Sequence, residues 1–147
     1  MSAQRRRGKR SRGQSLVEFA IIFPVLMVVL LAIFDLGRLV FAYNDITNAA
    51  REGARVGIIN QTTGTIKNEV INQATSLNLT SGDVTVTYVD ADNPANPCPN
   101  IPPTKLDCLV VVSVDYDWQA ITPVIGNIVG PVTVTAVSKM PIERVFP

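Results

Sequence analysis

The chain contains no histidine. The imidazole on which zinc sites and much acid–base chemistry rely is therefore missing, and a zinc centre is not expected. Cysteine is almost absent as well, since Cys98 and Cys108 are the only two. No nucleophile stands in a recognisable catalytic setting, and the acids are scattered along the chain instead of gathered, so neither an enzyme nor a cofactor is expected. Internal repeats and low-complexity tracts are lacking too, apart from a short basic tail. With 147 residues, the chain is long enough for one domain and an anchor but not for two independent cores.

Positive charge is scarce everywhere but at the start. Arg5, Arg6, Arg7, Lys9, Arg10 and Arg12 crowd the first residues, while the chain after residue 13 carries 7 basic and 12 acidic residues. The tail is too short for a nucleic-acid interface and has no interleaved aromatics, so no nucleic-acid partner is expected. It abuts an apolar segment, and the positive-inside rule then keeps the tail cytoplasmic and exports the remainder of the chain beyond that segment.

That segment, Phe19–Phe34, is an uninterrupted run without a polar side chain, extended by Leu16-Val17 and by residues 36–43. Roughly 20 residues cross a bilayer, so a single membrane-spanning helix over 14–43 is expected, with the lipid bilayer as its partner. A removable secretory signal is disfavoured, because no A-x-A-like site comes promptly after the run. Asp35-Leu-Gly-Arg38 comes next, and helical character continues to about Gly57. Such a helix is on the order of 65 Å long, so its second part, 44–60, projects beyond the membrane. Pro24 lacks a donor and is expected to loosen the helix locally. Asp35 and Arg38, three apart, form a charge pair at the outer boundary.

Glu18, set between Leu16-Val17 and the run, is the lone acid ahead of Asp35. A charge at the centre of a membrane helix costs roughly 3 kcal/mol or more, so Glu18 needs either a place near the headgroups, where the helix macrodipole favours it, or a positive partner from another chain.

Beyond the membrane, Ala49, Gly53 and Gly57 recur every fourth residue, a helix-packing stripe that admits close approach by another helix or by the chain's own sheet. A second helix opens at Gly64-Thr65, its apolar face marked by Ile66, Val70, Ile71, Ala74 and Leu77. Alternating segments beginning at Val84, Val110 and Val132 read as strands of an antiparallel sheet with one solvated side. The oxygen-rich loop 90–97 lacks the full ligand spacing of a calcium loop and reads as a solvated turn. Residues 119–130 are either a short helix capping the sheet edge or an apolar surface for a partner. Two cysteines flanking a rigid Pro-Asn-Ile-Pro-Pro stretch outside the cytoplasm suggest a Cys98–Cys108 disulfide. The expected fold class is α+β: a long N-terminal transmembrane helix extends into an exported domain, 61–147, where a second helix packs on a small antiparallel sheet of about three to four strands.

Residues 12–26, Arg-Gly-Gln-Ser-Leu-Val-Glu-Phe-Ala-Ile-Ile-Phe-Pro-Val-Leu, resemble the start of TadE-like proteins, the pseudopilins of tight-adherence (Flp-type) pilus systems. Asp35-Leu-Gly-Arg38 and Asn48-Ala-Ala-Arg-Glu-Gly-Ala-Arg55 resemble that family's second signature. The resemblance implies a pilin-like architecture and processing by a prepilin peptidase between Gly13 and Gln14, which leaves Glu18 at the fifth mature position. It further implies partners among other pilin or pseudopilin subunits and an inner-membrane assembly platform. Cleavage would remove the basic leader, 1–13, and free an α-amino group with an ordinary pKa of about 7.7–8.0, a natural partner for a neighbour's Glu18. The major pilins of these systems are much shorter, which points to a minor subunit or assembly factor. The competing expectation is an uncleaved single-pass protein whose exported domain, periplasmic or extracellular, is a binding module.

Overall fold

The computed structural model describes residues 12–98 and 107–143. Of the expected leader only residues 12 and 13 fall within that range, and the proline-rich stretch 99–103 lies outside it. Helix α1 spans Arg12–Ile59 and carries Pro24 in its interior without a break in the helix. Residues 19–34 are, Pro24 apart, Leu, Ala, Met, Val, Ile and Phe, residues that hold a helix wherever the backbone is kept from water. The far end stops at Asn60, whose side-chain oxygen accepts the Thr62 N–H at 2.9 Å, a turn that competes with further helix. Helix α2, Thr63–Gln73, then doubles back along α1 with Ile66 and Val70 fully buried. A short 3-10 turn comes after it and ends on Asn78 at φ 52°, a left-handed position that asparagine tolerates.

Three strands complete the unit: β1 Val84–Asp90, β2 Cys108–Trp118 and β3 Val132–Pro141. All neighbours are antiparallel and β2 is central, paired as Val84↔Val114 with β1 and Val114↔Ala136 with β3. The period of two puts Val84, Tyr88, Val110, Val112 and Val114 on the buried face. The opposite face is polar, and there Thr133 and Thr135 donate to Asp117 and Asp115 across the β2–β3 pair. A seven-residue helix, α3 Pro123–Val129, joins β2 to β3, with Pro123 in its first turn where a missing donor is harmless. The fold is α+β: two helices cover one face of a three-stranded antiparallel sheet.

The core lies between α1, α2 and the sheet, built on Ile46, Ala50, Ala54, Val70, Val110 and Val112. The folded unit packs on α1 from Asp35 onward: Asp35 and Ala42 are buried and Leu39 is half-buried, all within the segment 14–43 expected to cross the membrane. Alanine and leucine serve a membrane face and a protein core equally well, so hydropathy alone does not locate the boundary. Before Asp35 no described residue of α1 is buried.

Candidate functional site

The N-terminal end of α1 is entirely open. Gly13, Gln14, Val17, Glu18 and Ile21 line one shallow surface, and each of them is exposed. Glu18 has neither a hydrogen bond nor an ion pair among the described residues. A Cβ built on Gly13 meets nothing within 4 Å. Glycine is about 1 kcal/mol worse than alanine inside a helix, so the fold of this chain gives no reason for glycine at 13.

The small-residue stripe is different, because it is consumed internally. A Cβ on Gly53 would overlap the Val70 methyl of α2, and one on Gly57 would sit 2.8 Å from a Val110 methyl of β2. Ala49 is fully buried in the same seam. Ala49, Gly53 and Gly57 thus bring α1 against both α2 and the sheet of its own chain, and the stripe presents no free surface to another helix.

Asp35 has a role that its spacing from Arg38 does not announce. The ion pair exists at 3.7 Å, with the Arg38 side chain 46% exposed. The shorter contacts are to backbone: the N–H groups of Ile121 and Thr122 donate to the two carboxylate oxygens of Asp35, each at 3.1 Å. These amides open the β2–α3 turn, so a side chain of α1 fixes a segment 86 residues away. The only local hint is Thr122-Pro123, a helix start whose orphan donors need an acceptor. Sequence reasoning gave Asp35 to Arg38 and missed the amides.

Cys98 and Cys108 form a disulfide across a separation of 10 residues. It closes the loop between β1 and β2, which is also held by Cys98 N–H to Tyr88 O at 3.0 Å and Ala91 N–H to Asp107 O at 2.9 Å. Within the loop, Asp90 accepts the N–H groups of Asp92 and Asn93 at 2.8 and 3.0 Å. Its carboxylate is engaged in a turn of its own making. No group of three or more acidic or cysteine side chains is placed to hold a metal among the described residues. Asp115 and Asp117, the closest approach to a paired-acid arrangement, each accept a threonine hydroxyl instead.

At the far end of α1, the Tyr88 hydroxyl donates to the Gln61 carbonyl at 2.7 Å. Burial pushes this phenol above its ordinary value of 10.0, with Thr63 pulling the other way. This is a structural clamp between β1 and the α1–α2 turn.

No curated protein and no solved structure matches the chain. Among the described residues one helix, α1, is long and apolar enough to cross a membrane. The segment with open Gly13, unpaired Glu18, the apolar run, Asp35 and the packed stripe is also the segment, residues 13–55, over which the chain matches the family of TadE-like proteins.

Proposed function

We propose that this protein is a minor pseudopilin, a membrane-anchored, non-enzymatic subunit or assembly factor of a tight-adherence (Flp-type) pilus or a related secretion apparatus. Its basic N-terminus stays in the cytoplasm, its α+β unit lies outside, and a prepilin peptidase cuts it between Gly13 and Gln14. The observation that carries this reading is the pairing of Gly13 and Glu18 on an exposed helix end that runs directly into the apolar segment. Neither residue does anything for the fold of its own chain. Low helix propensity at Gly13 eases the local unwinding that a peptidase needs. An acid without a partner in lipid is satisfied when another copy, or another pilin subunit, brings its new α-amine beside it. Such a pair sets axial register more than it adds net stability.

Intact-mass analysis of the membrane-extracted protein tests this, with and without a co-expressed prepilin peptidase. The expected result is peptidase-dependent loss of residues 1–13, abolished by Gly13→Ala. The substitution meets open space, so a misfolded product does not confuse the readout. An uncut chain in the presence of active peptidase would replace this reading with a permanently anchored assembly factor or binding module.

A further inference from the structure

A second apolar surface lies beside the point where α1 leaves its apolar run. The two 3.1 Å hydrogen bonds from Ile121 and Thr122 to Asp35 fix the start of α3 at the height of Asp35 on α1. Asp35 directly follows Phe34, the last residue of the run. Around this height the chain turns large apolar side chains outward. Ile121 is 71% exposed, Ile128 77% and Val129 54%, and Leu36 and Val40 of α1 are similarly bare. From Trp118 to Ser138 there is no charged residue, the longest uncharged stretch in the sequence and longer than the apolar run itself. None of these side chains belongs to the core between α1, α2 and the sheet. An exposed patch of this kind marks a protein or membrane contact.

The bilayer is the occupant that the placement favours. A helix emerging from lipid carries a ring of lipid and headgroups with it, and α3 is pinned inside that ring. The interfacial layers add roughly 5–8 Å on each side of the hydrocarbon, the depth to which an interfacial helix settles. Arg38, one turn beyond Phe34, keeps much of its guanidinium-bearing side chain in solvent, as suits a basic group that meets lipid phosphate. The exposed polar side chains Gln119 and Asn127 suit the same layer.

We infer that the α3 corner, through Ile121, Ile128 and Val129, is a second membrane contact, seated in the interfacial layer of the leaflet from which α1 emerges. It rests on the reading of α1 as a membrane span. With α1 alone, the folded unit is free to rotate about the helix axis and to tilt. A second contact beside the first removes both freedoms and sets which faces of the unit look along the membrane and which look away.

Nitroxide labels read the depth directly. Variants with one added cysteine, Ile128→Cys and Ile121→Cys, are labelled at that free thiol in the full, disulfide-intact chain and reconstituted in phosphatidylcholine–phosphatidylglycerol vesicles. Val25→Cys on the span and Asn72→Cys on α2 serve as references. All four positions are exposed or partly exposed, so labelling removes no core packing. The expected ratio of oxygen to nickel-chelate accessibility at 121 and 128 is several-fold above that at 72 and below that at 25. A value at 121 and 128 equal to that at 72, with 25 in hydrocarbon, overturns the second contact and leaves the span intact. A water-like value at 25 overturns the span itself. Labels at 121 and 128 shielded from both reagents, with spin–spin broadening that fades on dilution with unlabelled chain, show a second copy on the patch and equally overturn the inference.

Discussion

Tyr88 illustrates how a single side chain links strand, turn and pH. Its hydroxyl reaches the Gln61 carbonyl at 2.7 Å from a site where burial raises its pKa above 10.0. A raised folded-state value means that the native state holds the phenolic proton more tightly than the unfolded chain does. The contribution to stability is therefore complete below about pH 10 and is lost as pH rises through the folded value. Tyr88→Phe should lower stability by about 1 kcal/mol at neutral pH, the net worth of one hydrogen bond. It should also flatten the alkaline loss above pH 10 relative to the unmodified chain. Denaturant midpoints in detergent across the alkaline range measure both effects, and parallel alkaline curves for the two proteins would show that Tyr88 is not the responsible group. This clamp was not legible in the sequence. The alternation of Val84, Val86 and Tyr88 placed the ring on the buried face, but the acceptor is a backbone carbonyl 27 residues away. Side-chain patterns carry no record of such a carbonyl. Gly53 and Gly57 were half-legible for a related reason. Their spacing announces close approach, but only the fold says that Val70 and Val110 are what approaches.

At the scale of elements, hydrophobic periodicity was the most legible signal. The long helix, the second helix and all three strands emerge from where the apolar period is 3.6, where it is 2 and where neither holds. What it left open was how residues 119–130 attach, because that depends on one carboxylate far away in sequence. Asp35 accepts from the two amides at the start of α3. Replacing it by alanine should release this corner while the sheet stays formed. Amide hydrogen exchange should quicken at Ile121, Thr122 and Gly126, the last of which donates to the Thr122 carbonyl at 2.8 Å. Amides of β2 paired with β1 should keep their protection. Arg38→Gln, which removes only the longer and half-exposed ion pair, should leave all three slow. If Arg38→Gln quickens them as much as Asp35→Ala does, the ion pair holds the corner and the two backbone bonds are secondary.

At the scale of the whole molecule, charge, membrane and oxidation state are one problem. Six basic residues precede the apolar run, and the chain after residue 13 is net acidic. On the proposed topology that asymmetry is the orientation signal, and the disulfide then reports on which side the folded unit ends up. Cys98–Cys108 persists in an oxidising compartment and is kept reduced in the cytoplasm. Neutralising Arg5, Arg6, Arg7, Lys9, Arg10 and Arg12 together should therefore invert a fraction of the molecules. The inverted fraction should carry two free thiols. Alkylation of the membrane-extracted protein and then intact-mass analysis counts them, and a membrane-impermeant protease added to spheroplasts or protoplasts should spare the same fraction. Closing a loop of this size contributes roughly 3 kcal/mol, so the inverted, reduced molecules should also unfold at lower denaturant than the oxidised ones. Retention of the disulfide in every neutralised molecule would show that orientation is set elsewhere, with the acidic folded unit and the early helix as the remaining determinants.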